Sequence, residues 1–392
     1  MTIQETAAKY KDYLIKMRRF FHANPELSGK EFQTSAVIKE ELDKIGIPWR
    51  ACGLETGVLA TIVGEKPGKT ILLRADMDAL EVQEETGLPY ASKVNGVMHG
   101  CGHDCHSAML LTAAHILNDM KKELCGTVKL AFQPAEEIAA GALSMIENGA
   151  LENVDGCFAI HVWSSFDKGK VICSPGPVMA SAAKFQIDIK GLSGHGATPH
   201  LCVDALVAAS AVVMNLQTIV SREISPQDSA CLTVGSITSG TRFNCVADSA
   251  HIEGTTRALD RNVSDTFYER IDRITKDTAH SFRAEAITTY DYLTDPVINH
   301  QGMTLLAQKA IHKVVSPEAL ITCPPISGGE DFAYFMNEVP GTIALLGVRN
   351  EACNAVWPQH SNKFCVDEDI LLNGAMLYAQ IAMDFNSSAE EI

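Results

Sequence analysis

Three short apolar runs that each end in chemistry-bearing groups constrain this chain more than any other feature. Residues 70–74 lead straight into Asp76-Met77-Asp78, and residues 127–132 into Gln133-Pro134-Ala135-Glu136-Glu137. Residues 157–162 carry His161 near their end. Runs of this length and composition read as buried strands, and they alternate with helical patterns such as Ala108, Leu111, Ala114 and His115. Such alternation builds an α/β sheet, and ligands gather outside the carboxyl ends of its strands.

The same reading extends along the chain. Helices are expected over residues 5–22, which Asn24-Pro25 ends, and over 31–45, which Gly46 stops. Residues 58–63 and 70–74, separated by Pro67-Gly68, read as paired strands. A helix is expected over 139–148. The pattern changes at Pro175-Gly176-Pro177. There follow a strand (184–190), a Gly-rich turn (191–196), a long helix (203–221), strands at 232–237 and 250–257, a helix (264–282) and a strand (284–292). That β-α-β-β-α-β order is the ferredoxin-like arrangement. Asp295-Pro296 returns the chain to α/β material, with a helix (304–315), a strand (343–348) and a last helix (369–385). The expected fold is therefore α/β: a larger domain with a mostly parallel central sheet flanked by helices, plus an inserted ferredoxin-like domain. Its parts are 1–179, the insert 180–292, and 293–392. Two domains suit 392 residues, because single cores stop growing below that size.

Met98-His99-Gly100-Cys101-Gly102-His103-Asp104-Cys105-His106 packs three imidazoles, two thiols and a carboxylate into nine residues. Gly100 and Gly102 let the backbone fold Cys101 and His103 toward one point, at the mouth of the following helix. Thiolate and imidazole are the donors that first-row transition metals prefer. Twelve cysteines sit singly, many in apolar runs, so most read as reduced core thiols in a chain too long to need staples. A net charge of −16 argues against nucleic acid and anionic membranes as partners. The polar start of the chain lacks the apolar core of a secretory signal, and a cytoplasmic location is expected. Ser210, Asn215 and Gln217 interrupt the most apolar helix, so no membrane span is expected there.

Taken singly, each acid or histidine has an innocent explanation; their positions at strand ends carry the case. Cys101, His103, Glu137, His161 and His360 are five donors that suit two transition-metal ions about 3.5–4 Å apart, the spacing of hydrolytic two-metal sites. Glu136 and Glu137 are adjacent at a strand end and point to different sides. One can coordinate while the other faces the activated water, taking its proton and passing it to a leaving amine.

Four segments then resemble one family: Met98–Asp104, Gln133–Glu137, Gly194-His195-Gly196-Ala197-Thr198-Pro199-His200, and Ser327-Gly328-Gly329-Glu330-Asp331-Phe332. The chain resembles the M20 metallopeptidase family, and within it the amidohydrolase branch of aminoacylases, hippurate hydrolases and auxin-conjugate hydrolases. The resemblance implies that Cys101, His103, Glu137, His161 and His360 hold two divalent ions (Zn, Mn, Ni or Co), that Glu136 is the general base and that Asp78 orients a ligand. It implies that His195, in the insert, stabilises the oxyanion, and that Asn244 and Arg257 hold the substrate carboxylate. It further implies that the larger domain is the catalytic one and the insert its lid, and that a homodimer or higher oligomer forms through the lid, with His195 and Asn244 acting across it. The implied reaction is hydrolysis of an N-acyl-L-amino acid. An N-acetyl-diaminopimelate deacetylase or carboxypeptidase-like peptidase is the enzyme alternative, and a catalytically silent binding protein of the same fold is the other. The chain departs from the family in having Glu81 where many relatives carry Pro, and Asn244-Cys245-Val246-Ala247-Asp248 where Asn-Val-Ile-Pro-Asp is common.

Other groups read as architecture. His99, Cys105 and His106 suit helix-start packing, His115 a helix's apolar face, and His200 a turn or the pocket wall. Glu330-Asp331 reads as a helix start flooring the site or as a metal-proximal pair. Arg257 is also consistent with an ordinary strand-end arginine.

Overall fold

The computed structural model describes residues 2–388. In chain order the principal elements are α1 (Lys11–Ala23), α2 (Phe32–Lys44), β1 (Trp49–Ala51), β2 (Val58–Val63), β3 (Lys66–Asp76), α3 (His103–Asp119), β4 (Cys125–Gln133), α4 (Gly141–Glu147), β5 (Gly156–Asp167) and β6 (Val171–Ile172). Then come β7 (Ala182–Lys190), β8 (Gly194–His195), α5 (Ala205–Thr218), β9 (Ala230–Ser239), β10 (Cys245–Val246), β11 (Ser249–Ala258), α6 (Phe267–Ser281) and β12 (Glu285–Thr294). The last are α7 (Gln301–Val314), β13 (Leu320–Ile321), α8 (Ala333–Glu338), β14 (Gly341–Arg349) and α9 (Leu371–Ser387).

The chain divides into two compact units. The first comprises residues 1–176, 298–324 and 331–392, and the second 177–297 and 325–330. The first unit is built on an eight-stranded sheet of order β1-β2-β4-β3-β5-β14-β6-β13. Its middle, β4-β3-β5-β14, is parallel throughout. The residues of β14 up to Val348 are buried, as expected of a central parallel strand covered on both faces. Helix α3 is buried nearly all round and packs against α1 and α9. Acidic Asp104 lies in its first turn, where it complements the positive end of the helix dipole.

The expected pairing of residues 58–63 with 70–74 does not occur. Strand β4 lies between β2 and β3, antiparallel to the first and parallel to the second. Pro67-Gly68 is no turn but part of β3, where an ideal Cβ on Gly68 would lie 2.4 Å from the Asn386 carbonyl. A two-residue signal specifies a bend only when the flanking strands have no better partner, and β4 offers one to each.

The second unit runs in the order β7-α5-β9-β11-α6-β12, with an antiparallel sheet of spatial order β9-β11-β7-β12. Both helices cover one face of that sheet through Ala208, Val212, Leu216, Phe267 and Ile271. The polar interruptions do not keep the run Ala205–Glu223 below the length and composition of a membrane span: its mean hydropathy reaches 1.3. Its inner side is nevertheless part of this small core. All twelve cysteines are unbridged.

Candidate metal centre

Three tight backbone features bring the donors of the first unit together. Gly102 has φ +99°, and an ideal Cβ there would sit 2.3 Å from Val162 Cγ2, so only glycine can start α3 with His103 pressed against β5. Beyond β4, Ala135 (φ 56°) and Ala139 (φ 54°) bracket Glu136-Glu137 in left-handed conformations, which cost alanine of order 1 kcal/mol each. His360 is a third left-handed residue (φ 65°), and its N–H donates to the Gly100 carbonyl at 2.8 Å. The parallel register pairs Asp76 with Gln133 and Arg74 with Ala159, so Asp76, the Glu136 turn and His161 share one sheet edge.

At that edge Cys101 Sγ lies 3.5 Å from His161 Nε2. His103 Nε2 lies 3.8 Å from Glu137 Oε1 and 4.0 Å from Glu136 Oε2, and His360 Nε2 lies 3.6 Å from Glu137 Oε1. Cys101 belongs to two potential ion-holding groups, one with His103 and His161 and one with Glu137 and His360. The imidazoles are oriented from behind. Asp78 Oδ1 accepts from His103 Nδ1 at 3.1 Å, and the Val162 carbonyl accepts from His161 Nδ1 at 2.7 Å. Each ring therefore turns Nε2 forward with Nδ1 engaged behind, the orientation a metal ligand needs. His103 Nε2 and Glu137 Oε1 are buried and lack hydrogen-bond partners. Buried polar atoms are rarely left so, and a ring nitrogen and a carboxylate oxygen converging at 3.8 Å leave a place that fits a cation. The donor set thus suits a pair of borderline transition metals.

The electrostatics describe the same cradle. Burial pushes the Cys101 thiol well up, and Glu137 adds to this. Burial likewise raises Glu137, against the pull of His103, and drives His161 well down. Burial works against ionised Asp76, yet His103, His106 and Arg74 hold it well below the carboxylate range. His103 would fall through burial, but Asp76 and Cys101 raise it well above the histidine range. A bound cation inverts such preferences and deprotonates a coordinating thiol outright.

The remaining sequence candidates divide. In the second unit, β8 pairs with β10, placing Cys245 opposite His195, and the Gly196 N–H donates to the Asn244 carbonyl at 2.9 Å. His195 and Asn244 are thus neighbours, both exposed. Arg257 lies apart on β11, half-buried, and donates to the Thr256 carbonyl at 2.8 Å and to the Thr255 hydroxyl. His106 is spoken for: its Nδ1 donates to Asp76 at 2.6 Å and its Nε2 accepts from the Val162 N–H at 2.8 Å. Cys105 is fully buried and His200 is exposed. His115 packs on Tyr10 and Tyr13, and His99 is buried, where desolvation lowers it to about 4. Asp331 is an anchor, held by Arg74 at 2.8 Å and by Gln133 Nε2 at 2.8 Å. Arg74 and Gln133 are thus site-forming residues outside the sequence candidates. An arginine inside the apolar run Leu72-Leu73-Arg74-Ala75 was the available signal, since a buried charge requires partners.

Comparison with known proteins follows the same lines. The model of peptidase family M20/M25/M40 matches residues 72–384. Thermostable carboxypeptidase 1 of Saccharolobus solfataricus is 38% identical over 98% of this chain and 98% of its own. N-acetyl-L-cysteine deacetylase of Bacillus subtilis is 40% identical over 96% of this chain and 89% of its own. Among solved structures, the Bacillus subtilis YXEP protein, described as a dinuclear metal-binding peptidase of the M20 family, superposes with a TM-score of 0.84 at 33% identity, covering 96% of this chain and 98% of that one.

Proposed function

The chain belongs to peptidase family M20/M25/M40, and from that premise we propose that it is a two-metal amidohydrolase cleaving N-acyl-L-amino acids into a carboxylic acid and an amino acid. It is a hydrolase of amide bonds. The observation that supports the two-metal reading is a pair of buried atoms without a hydrogen bond, His103 Nε2 and Glu137 Oε1, in a cluster that also holds Cys101, His161 and His360.

Those five residues would hold two divalent ions, drawn from Zn, Mn, Ni and Co. Such ions, when bound, polarise the scissile carbonyl and lower the pKa of a water from 15.7 toward about 7. Everything else falls to the chain. Asp78 holds His103 in its coordinating tautomer. Glu136 takes a proton from the attacking water and returns it to the departing amine, a role typically worth ~10²–10⁴ in rate. To the second unit we assign the part of a ferredoxin-like lid, a reading that its β-α-β-β-α-β order supports. There His195 serves the oxyanion and Asn244 and Arg257 the substrate carboxylate. A homodimer through this unit is supported by the outer side of α5, where Leu206, Val207 and Met214 are exposed, and by the open edge of β9. A cytoplasmic location is part of the same reading.

The test is metal analysis together with hydrolysis of a panel of N-acyl amino acids, diaminopimelate conjugates and dipeptides, on protein reloaded with each ion. We expect two ions per chain and turnover of N-acyl amino acids. Turnover of dipeptides alone favours the carboxypeptidase-like alternative. No turnover with both ions bound favours a silent binding protein. Glu136→Gln should keep its metal and lose ~10²–10⁴ in kcat; activity within a few-fold of wild type removes the base assignment.

A further inference from the structure

Glu31 is a fully buried carboxylate that none of these roles uses. It lies just before α2, more than a hundred residues from the Glu136 turn, yet its Oε1 accepts the Ala135 N–H at 2.9 Å. The same oxygen accepts the Gly29 N–H at 2.8 Å, and Oε2 accepts the Thr56 hydroxyl at 2.7 Å. Ala135 is the residue before Glu136 and is left-handed. Its carbonyl accepts the N–H groups of Ala140 and Gly141 at 3.1 and 3.2 Å, and the Ala139 N–H closes on the Glu136 carbonyl at 2.7 Å. The turn is tight: an ideal Cβ on Gly141 would lie 1.6 Å from the Pro134 carbonyl. A strained alanine persists only where its surroundings over-determine it, and here its carbonyl is held by backbone and its amide by one side chain. The segment that supplies Glu31 also reaches the other side of the centre, since Ser28 donates to Asp78 Oδ2 at 2.6 Å and the Ala79 N–H to the Glu26 carbonyl at 2.8 Å.

We propose that Glu31 is a positioning residue for Glu136: by fixing the Ala135 amide it sets the backbone from which the Glu136 carboxylate projects. The proposal rests on the reading of Glu136 as general base. A base displaced by about 1 Å can lose ~10²-fold in rate while substrate binding, made elsewhere, is unaffected. The role needs two acceptor lone pairs and not a charge. In Glu31→Gln the amide oxygen would accept the same two N–H groups, and the amide NH2 would donate to Thr56 Oγ1, whose hydroxyl can turn to accept.

The experiment compares Glu31→Ala, Glu31→Gln and Thr56→Val in the full-length, metal-reloaded protein, with the N-acyl amino acid that the panel identifies as substrate. Readouts are kcat, KM, metal content and hydrogen exchange at the Ala135 amide. Glu31→Ala should lower kcat ~10–10²-fold, with KM and metal content within about twofold, and should lose protection at Ala135 but not in the middle of β4. Glu31→Gln should stay within about threefold of wild type on every readout. In a Glu136→Gln background, Glu31→Ala should cost nothing further, because no base remains to be placed. Equal losses in the Ala and Gln variants would mean that charge matters, and an additive loss in the double variant would mean that Glu31 acts elsewhere; either overturns the proposal, as does unchanged kcat in Glu31→Ala. If Glu31→Ala does not fold, Thr56→Val decides, with a ~3–10-fold fall in kcat at constant KM expected and no fall contradicting it. Activity retained by Glu136→Gln alone would remove the base itself, an outcome distinct from all of these.

Discussion

Replacing Asp78 by Asn changes one atom, and the hydrogen bonds around that atom set the cost. Asp78 Oδ1 accepts from His103 Nδ1 at 3.1 Å, while Oδ2 accepts from the Ser28 hydroxyl at 2.6 Å and the Glu137 N–H at 3.0 Å. One carboxylate thus steers the ring of one proposed ligand and the backbone of another, with every partner donating. An amide can meet this only by halves. With its oxygen toward His103, its NH2 confronts the Glu137 N–H, and a buried amide loses its acceptor at about 1–3 kcal/mol. Turned the other way, its NH2 donates to His103 Nδ1, which moves the ring proton to Nε2 and removes the lone pair meant for metal. Loss of such a supporting partner lowers metal affinity about 10–100-fold, which is about 1.4–2.7 kcal/mol. We expect the upper part of that range, because no amide orientation spares both ligands. Equilibrium dialysis against a graded zinc buffer measures it, with Asp78→Glu as a length control. Affinity within twofold of wild type would refute the argument, since then neither the His103 tautomer nor the Glu137 backbone depends on Asp78.

Three further outcomes are expected. Cys101→Ser should release metal more readily, and a thiol reagent should label Cys101 faster in apo than in metal-loaded protein; labelling indifferent to metal would make it a core thiol. Gly102→Ala should lower the thermal midpoint and metal content together, because it combines a positive φ with a 2.3 Å clash at Val162, and thermal melts with and without added zinc will read both. Arg257→Ala should chiefly raise KM and His195→Ala chiefly lower kcat, since the proposed carboxylate contact would form in the ground state and the proposed oxyanion contact only near the transition state. Mixing His195→Ala with Glu136→Gln under subunit exchange should restore partial activity if His195 serves the neighbouring site, and no recovery despite proven exchange contradicts that.

Much of the centre was legible because its donors sit where sequence patterns are strongest. Cys101, His103, Glu137 and His161 lie within or just beyond helices and strands whose apolar periodicity places them, and the structure gathers them with His360. Strand pairing was not legible in the same way. Residues 58–63 carry no mark of their partner, and β4, the strand that separates them from β3, is some sixty residues downstream. Support from behind the ligands was also hidden. His106 reads as a packing residue, and nothing local discloses that both its nitrogens connect Asp76 to β5. Glu31 follows an ordinary turn, and its partner Ala135 is specified only by tertiary structure.

The division of the chain has a consequence for how the protein is made. Cys101, His103, Glu137 and His161 precede the second unit, residues 177–297 and 325–330, whereas His360 follows it. At translation rates of about 5–20 residues per second, the 199 residues from His161 to His360 take roughly 10–40 s to emerge. For that interval the nascent chain carries four of the five proposed donors, while β5 awaits its neighbour β14 in the sheet. On the two-metal reading, the proposed site can be whole only after the second unit has been made, since its last donor, His360, lies beyond it.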